Sequence, residues 1–373
     1  MSPAAGNPFP SLEMAERATG LRARDRLSTN ENEFGPAAEV IRAITVAAAQ
    51  AHRYPDCEHF ALRERLAAHL RTGRDTVMIG SGVDGLLGVT ARALLGPGRT
   101  AVTSGATYPT FGYFARASGA GLRTVPYRAG KADVDALGRA AHESNADIVY
   151  LADPDNPTGS SQGAPAALAL ADSLPARTLL LVDGAYAEYQ DPSRTLTASQ
   201  VTRRRMLWLR TFSKAYALAG LRIGYAIGAP ELLALVSRGA EHYVVGRIAE
   251  AAALASLDAT AHLSAVLEET AAGRAHYATA LSHLGLTVLP GTTNFVTTRP
   301  ADPAMAGRLA DALAESGVFV RHLTAPGMTD CLRISIGPAA QRARVLDILA
   351  RCLDRPPTAG QRRVRPPFTP FPP

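Results

Sequence analysis

Lysine is almost absent from this chain. Only Lys131 and Lys214 among its 39 basic residues are lysines, and the others are arginines. Arginine stays protonated in proteins, whereas a desolvated lysine amine can lose its proton and form a Schiff base with an aldehyde. Lys131 lies in the polar stretch RAGKAD and is interpreted as a solvated surface charge, whereas Lys214 lies among hydroxyl and guanidinium groups in RTFSKAYALAGLRIGY. Lys214 is therefore the candidate reactive amine.

Cysteines, metal motifs and long apolar runs are also scarce. Cys57, Cys331 and Cys352 form no C-x-x-C pair, which fits a reducing cytoplasm, and no HExxH-like spacing predicts a metal. The formal charge is +6, but the arginines are scattered and aromatic residues make up 6%, so we expect no nucleic-acid partner. No apolar run reaches about 18 residues and no signal pattern opens the chain, so we expect a cytoplasmic protein without a membrane partner.

Short apolar runs alternate with amphipathic stretches between about residues 57 and 230. This alternation predicts an α/β fold with a mainly parallel sheet covered by helices, in which one antiparallel strand stays possible. The predicted strands are 76–80, 100–105, 146–152, 178–184, 206–211 and 221–228. The predicted helices between them are 84–95, 109–119, 165–173 and 213–219.

The pattern changes after Pro230. A long helical tract with possible breaks at Gly239, Gly246 and Gly273 is followed by a segment of α+β character. We therefore predict a large domain over 46–260 and a smaller α+β domain made of 1–45, expected to be irregular, together with 261–355. The proline-rich stretch 356–373 is predicted to be a disordered tail.

A phosphate site is predicted close to Lys214. The motif GSGVDG follows an apolar strand and opens a helix, and the N-terminus of a helix offers backbone N–H groups to an anion. A reactive amine beside phosphate-binding groups indicates pyridoxal phosphate as the cofactor. The candidate phosphate ligands are Ser81, Gly82, Val83, Thr211, Ser213 and Arg222.

The ring of such a cofactor makes three further demands. Asp183, at the end of the strand TLLLVDG, is placed to keep the pyridine nitrogen protonated, although a helix cap is an equally good interpretation. Asn156 in DPDNPTG and Tyr186 in DGAYAEY could donate to the ring oxygen. Phe111 in YPTFGYF is the candidate stacking residue, with a core aromatic as the alternative.

The motif GSGVDG also fits G-x-G-x-x-G, so a nicotinamide-dependent oxidoreductase is a rival hypothesis. Against it, the preceding strand begins about 70 residues into the chain, and no acid ends a strand about 20 residues later. The rival also leaves Lys214 and Asn156 without a role.

Residues 27 to 350 resemble the fold-type I pyridoxal-phosphate-dependent aminotransferases, and within them the histidinol-phosphate aminotransferase group. The resemblance rests on NENEFGP (30–36), RYPD (53–56), NPTG (156–159), the Lys214 segment and CLRISIG (331–337). It implies an enzyme of amino-acid biosynthesis that transfers an amino group by a ping-pong reaction between a small-molecule donor and a keto acceptor. Histidinol phosphate with 2-oxoglutarate is the leading pair.

The resemblance also implies roles for single residues. Lys214 would hold the cofactor as a Schiff base and then move the substrate Cα proton, while Asp183, Asn156, Tyr186 and Phe111 would contact the ring. Tyr54 would reach the cofactor phosphate of a neighbouring subunit, which makes the expected active unit a homodimer. The implied substrate-binding residues are Asn32, Asn294, Arg321 and Arg333.

Four departures from the group's pattern leave the substrate open, and one of them is Gly184, which stands where the group usually has the glutamate of D-E-A-Y. Glu33 stands where proline is usual, Phe111 replaces the commoner tyrosine, and Asp153-Pro154-Asp155 replaces a neutral S-P-N or N-P-N. The alternative is another reaction of the same cofactor on this fold, such as decarboxylation, elimination or cyclisation of a specialised amino acid.

Overall fold

The computed structural model describes residues 11–354, so the predicted tail 356–373 lies outside the described residues. The strands, in chain order, are β1 Asp25–Arg26, β2 Val77–Gly80, β3 Thr100–Ser104, β4 Gly121–Val125, β5 Ile148–Ala152, β6 Leu179–Asp183, β7 Met206–Thr211, β8 Gly224–Ile227, β9 Thr287–Val288, β10 Phe295–Arg299, β11 Val318–Phe319, β12 Arg321–His322 and β13 Leu332–Ser335. The α-helices are α1 Leu12–Thr19, α2 Ala38–Ala48, α3 Phe60–Leu70, α4 Gly82–Leu94, α5 Thr110–Ala117, α6 Val134–Ser144, α7 Ala164–Ser173, α8 Ala198–Thr202, α9 Pro230–Ser237, α10 Arg247–Asp258, α11 Thr260–His283, α12 Met305–Glu315 and α13 Ala339–Leu353.

The chain divides into two compact units. The larger comprises Gly35–Asn156 and Ser160–Leu267, and the smaller comprises the described residues through Phe34, Pro157–Gly159 and the described residues from Glu268. The predicted start of the large domain, residue 46, differs because α2 packs against α10 within the larger unit. Pro157–Gly159 falls in the smaller unit because the Thr297 hydroxyl donates to the Pro157 carbonyl and the Thr292 N–H to that of Gly159.

The larger unit contains a seven-stranded sheet in the order β2-β8-β7-β6-β5-β3-β4. Only β8 among these strands runs against the others, since it pairs antiparallel with both β2 and β7. The predicted mainly parallel α/β sheet is therefore confirmed. The carboxyl ends of β3, β5, β6 and β7 meet at one edge, which is where open α/β sheets bind their ligands.

Apolar strands and helices explain this packing. Every residue of β5 and β6 is buried, as expected of inner parallel strands. Helix α4 packs against α5, α9 and β7, and α6 packs against α7 and β3. All six predicted strands are present, but β4 was missed because three of its five residues are exposed, so its pattern is that of an edge strand.

Two predictions about where helices lie are wrong. Residues 213–219 form turns that lead into a 3-10 helix (219–221), because Ala217 adopts a left-handed φ of 59° and the Leu218 N–H donates back to the Phe212 carbonyl. The N-terminal segment is not irregular throughout, because α1 begins at a Ser11 cap and ends at Gly20 with a φ of 72°.

The smaller unit has a four-stranded antiparallel sheet in the order β12-β13-β10-β9, and β1 pairs in parallel with β11. Its core includes the fully buried Tyr277, Leu309, Val345 and Leu349, and burial of each of the three aliphatic side chains contributes about 1.5–3 kcal/mol. Of the three expected breaks in the long helical tract, Gly273 is not one. Helix α11 continues through Gly273. A glycine fits this position because a Cβ there would lie 2.5 Å from Ile336. Across residues 11–354, none of the helices has the length and apolar character that a membrane crossing requires.

Candidate active site

Lys214 lies in the turn between β7 and β8, at the ligand-binding edge of the larger sheet. Its side chain is half-buried, and its Nζ atom lies 5.7 Å from the centre of the Tyr186 ring. Tyr186 is itself buried and follows β6 by three residues. The structure therefore brings together the predicted reactive amine and one predicted ring-oxygen donor.

The predicted phosphate ligands of the lysine segment form one hydrogen-bonded cluster. The Thr211 hydroxyl donates to Ser213 Oγ at 2.9 Å, and the Ser213 N–H donates to Thr211 Oγ1 at 3.1 Å. Arg222 donates to the same Ser213 oxygen at 3.3 Å. Two buried hydroxyls and a guanidinium are thus held within contact of each other.

The N-terminus of α4 faces this cluster. Gly82 has a φ of 73°, and a Cβ at that position would lie 2.7 Å from Arg222 Nη2, so the guanidinium lies directly over the first helical residue. The side chain of Ser81 makes no capping bond to the helix, and Val83 is buried in the next position. A helix N-terminus beside a fixed guanidinium forms an anion site of the kind that phosphate requires.

Asp183 is a buried carboxylate at the end of β6. It accepts the Tyr150 hydroxyl at 2.8 Å and the Ala185 N–H at 3.0 Å. Burial raises the pKa of the Asp183 carboxyl to about 6, and these two bonds offset part of the rise. A cation placed against Asp183 would restore its ionised form, which is the interaction that a protonated ring nitrogen needs.

Asn156 reaches the same edge from the neighbouring strand. It is buried, four residues beyond the end of β5, and Ala152 of β5 pairs with Asp183 of β6. Asn156, Asp183 and Tyr186 therefore follow two adjacent strands, as their predicted roles around one ring require.

Phe111 does not fit the predicted stacking role. Its ring is fully buried inside the core and lies parallel to the Tyr150 ring at a centroid distance of 4.8 Å, so the core interpretation is the one that the structure supports. Sequence reasoning missed Tyr108, which is only half-buried and precedes α5, in the loop after β3. Its hydroxyl donates to Asp84 at 2.8 Å, and Asp84 also pairs with Arg222 at 3.2 Å. Tyr108 is the first aromatic residue of the motif YPTF and precedes helix α5, and this position was the sequence signal that could have indicated it.

The described contacts of Tyr54 lie apart from these groups. Its side chain is 77% exposed, and its ring stacks on Tyr243 at 4.7 Å. Arg247 donates to its carbonyl at 2.8 Å. A tyrosine so exposed in one chain is available to a second chain.

The predicted substrate residues lie in the smaller unit. Arg321 and Arg333 occupy facing positions of β12 and β13, so both side chains lie on the same face of that sheet, and both are buried. Arg333 donates to the Ser28 carbonyl at 2.6 Å, and its guanidinium lies 5.4 Å from the Phe295 ring centre. Two buried guanidiniums at facing positions favour an anionic ligand.

Asn294 and Asn32 differ in what they can offer a ligand. Asn294 donates to the Asn30 carbonyl at 3.1 Å, while its own carbonyl oxygen is buried without a hydrogen-bond partner in the described structure. The Asn32 carbonyl oxygen already accepts the Phe34 N–H at 3.0 Å. Asn294 is therefore the better candidate acceptor for a substrate.

The unusual Glu33 lies in the same segment as Asn32. It accepts a bond from Gln341 at 2.9 Å, and burial raises the pKa of its carboxyl above the ordinary value. Among the described residues, no cluster of histidine, cysteine and carboxylate side chains could hold a metal ion.

Comparison with known proteins supports the chemistry of this site. The family model described as "Aminotransferase class I and II" matches residues 26–350. Histidinol-phosphate aminotransferase 2 of Ralstonia nicotianae is 36% identical over 349 residues, which is 92% of this chain and 93% of that protein. The histidinol-phosphate aminotransferase of Bacillus subtilis is 34% identical over 353 residues, or 93% and 96% of the two chains.

A solved structure extends the similarity to three dimensions. The histidinol-phosphate aminotransferase of Sinorhizobium meliloti, in complex with pyridoxal-5'-phosphate, has a TM-score of 0.90 at 36% identity, covering 95% of this chain and 97% of that one. The topology and the position of Lys214 after the strand next to Asp183 define a pyridoxal-phosphate-dependent transferase of fold type I. Because the family model covers most of its length, the chain belongs to the class I and II aminotransferases.

Proposed function

We propose that this aminotransferase moves an amino group between histidinol phosphate and 2-oxoglutarate. The observation that carries the proposal is the placement of Lys214 beside a phosphate cradle of two hydroxyls, one guanidinium and a helix N-terminus. The substrate pair is supported by the two relatives of that name, each at least 34% identical over more than nine-tenths of this chain.

The residues present fit pyridoxal phosphate. The cradle at Ser213, Arg222 and the start of α4 would hold the phosphate, Asp183 the protonated ring nitrogen, and Asn156 with Tyr186 the ring oxygen. Tyr108 lies beside this cradle, since its hydroxyl donates to Asp84, which pairs with Arg222. Bound cofactor supplies a ring that takes up the electron pair released when the donor's Cα–H bond breaks.

Lys214 has two tasks in this proposal. Its amine would hold the cofactor at the aldehyde carbon, and once an amino donor takes that place, the free amine would accept the proton from the donor's Cα. Lys214 is half-buried, and its Nζ atom lies 5.7 Å from the centre of the Tyr186 ring, so the amine lies beside a predicted ring-oxygen donor.

The anionic ends of the substrates would be bound in the smaller unit. Arg333 and Arg321 could form bidentate bonds to a carboxylate or a phosphate, and the unpaired Asn294 oxygen could accept a hydrogen bond from the donor. Histidinol phosphate and 2-oxoglutarate both carry such anionic groups, which supports one set of residues serving both half-reactions.

A cytoplasmic homodimer is part of the proposal. Exposed apolar side chains accompany Tyr54 on the larger unit, including Tyr243 and, on α2, Ile41 and Val46. A second copy of the chain would cover them and place its Tyr54 at the phosphate. We expect mixing of Lys214→Ala and Tyr54→Ala subunits to restore activity, because a mixed dimer has one site with an intact Lys214 and an intact Tyr54. Mixing without recovery would contradict the shared site.

Absorbance spectroscopy tests the cofactor half of the proposal. Purified protein with pyridoxal phosphate should show a visible band that Lys214→Ala lacks and that L-glutamate bleaches. A band that glutamate leaves unchanged would indicate another amino donor or another reaction. Formation of glutamate from 2-oxoglutarate that depends on histidinol phosphate then tests the substrate pair, and its absence would remove that pair while the aminotransferase class stands.

A further inference from the structure

One buried carboxylate joins the loops that follow three adjacent strands. Asp155 is 2% exposed and lies beyond β5. The hydroxyl of Thr107, beyond β3, donates to its Oδ1 atom at 2.6 Å, and the hydroxyl of Tyr127, beyond β4, donates to its Oδ2 atom at 2.9 Å. Because β5, β3 and β4 are consecutive in the sheet, these loops emerge side by side at the ligand-binding edge.

Two of the three loops carry residues of the candidate site. Thr107 immediately precedes Tyr108, and Asp155 immediately precedes Asn156. We propose that Asp155 is a positioning residue, which fixes Tyr108, whose hydroxyl contacts Asp84 beside the phosphate cradle, relative to the ring-oxygen donor Asn156 through its bond to Thr107. This inference rests on the proposed function, since it assigns the two neighbours to one cofactor.

Asp155 accepts a hydrogen bond at each of its two carboxyl oxygens. These donors are the hydroxyls of Thr107 and Tyr127, and removal of either hydroxyl would take one of these bonds from a buried carboxyl oxygen. Burial, followed by the charge of Asp155, raises the pKa of the Tyr127 phenol well above its ordinary value, so Tyr127 remains a donor. Asparagine could keep both contacts in a weaker form, since a hydroxyl can also accept from its amide, whereas alanine would lose both.

The neighbouring Asp153 shows that burial of an acid in this segment does not by itself link the loops. Its carboxylate accepts the backbone N–H groups of Gln162 and Gly163 at 2.8 and 2.9 Å. Asp153 therefore stabilises its own loop, and only Asp155 of the two reaches the Tyr108 loop.

Four variants separate the two bonds of Asp155. Asp155→Ala and Thr107→Val break the link between the cofactor loops, Tyr127→Phe removes the bond to the loop without a site residue, and Asp155→Asn is the conservative replacement. The readouts are the dissociation constant for pyridoxal phosphate, titrated through the lysine-dependent band, and the visible circular dichroism per bound cofactor. The melting temperature of the cofactor-free protein is measured alongside.

We expect Asp155→Ala and Thr107→Val to weaken cofactor binding by about tenfold or more and to reduce the dichroism at saturation. Tyr127→Phe should stay within about threefold of wild type, and Asp155→Asn should recover most of the dichroism. A lower melting temperature with unchanged affinity and dichroism, or equal losses in Thr107→Val and Tyr127→Phe, would overturn the inference. If Asp155→Ala does not fold, Thr107→Val decides; a wild type without the band overturns the proposed function itself.

Discussion

The lysine region of the larger unit and the arginine region of the smaller unit are built in different ways. In the lysine region, the amine, both hydroxyls and the guanidinium come from one segment, 211–222, and hydrogen bonds within it link the two hydroxyls to each other and to the guanidinium. In the arginine region, Asn294 bonds to Asn30 and Ser335 bonds to Asn30, so its contacts join distant parts of the sequence. The first region is therefore a local sequence motif, whereas the second forms only when distant segments of the chain come together in the fold.

The two regions also treat charge differently. Asp183 is buried with neutral donors, and burial raises the pKa of its carboxyl to about 6. Arg321 and Arg333 are buried at facing positions, which favours an anion. In our proposal, a protonated ring nitrogen would complement the charge of Asp183, and a substrate anion would complement the charges of Arg321 and Arg333.

The largest expected effect is in the lysine region. Lys214→Ala should lower kcat by about 10⁴-fold or more, because both the covalent attachment and the proton acceptor are lost. Steady-state kinetics with glutamate as donor measure the loss. Lys131→Ala is the matched control, since it removes the other lysine of the chain, and it should leave kcat unchanged. Substantial activity in Lys214→Ala would break the assignment of the region.

The second largest effect is expected for Asp183→Asn, which should lower kcat by about 10²–10³-fold. The amide cannot hold the proton on the ring nitrogen, so the ring takes up electrons less well. The Asp172→Asn variant, which removes a surface carboxylate paired with Arg204, serves as the control and should keep wild-type kinetics. A kcat within about threefold of wild type for Asp183→Asn would remove Asp183 from the cofactor site.

The same substitution should stabilise the cofactor-free protein above pH 6. Burial raises the folded pKa of Asp183 from 3.8 to about 6, so the folded state holds its proton more tightly and stability is lost as pH rises through this range. The free energy of unfolding is lowered by about 3 kcal/mol at pH 7 and by about half of that at pH 5. Denaturant unfolding of wild type and Asp183→Asn should show the advantage of asparagine growing between pH 5 and 7. Asp311, whose pKa burial also raises to about 6, contributes equally to both proteins. A constant difference would contradict the buried-charge account.

A smaller effect is expected in the arginine region. Arg333→Lys should raise KM for the anionic substrate by about 30-fold with a lesser change in kcat, because lysine gives a single bond where the guanidinium gives two. Arg299→Lys is the control, since Arg299 pairs with Asp330 at the surface of the same sheet. An unchanged KM in Arg333→Lys would break the comparison, because the region would then bind no substrate anion.

The same contrast explains what could be predicted from sequence. The six apolar strands and the residues that end them are legible because a parallel sheet aligns the carboxyl ends of its strands. Periodicity could not show that Phe111 is buried in the core while Tyr108 lies in the loop before α5, since this depends on where α5 begins. It also could not show that the chain turns at Ala217 instead of forming a helix over 213–219. The facing of Arg321 and Arg333 depends on strand register, which no local pattern carries. Strand β4 could not be predicted, because three of its five residues are exposed and it therefore lacks the apolar pattern of the inner strands.

The smallest expected effect tests whether the lysine region is complete within one chain. Tyr54→Phe should weaken pyridoxal phosphate binding by about tenfold, because one hydrogen bond to the phosphate is lost while the exposed ring still stacks on Tyr243. Titration of the lysine-dependent band measures the change, with Tyr113→Phe, another exposed tyrosine, as control. If the loss appears only at concentrations at which light scattering reports a dimer, the phosphate cradle is shared between subunits. If Tyr54→Phe binds the cofactor as wild type does, the segment 211–222 and the start of α4 suffice, and the lysine region is more self-contained than we propose.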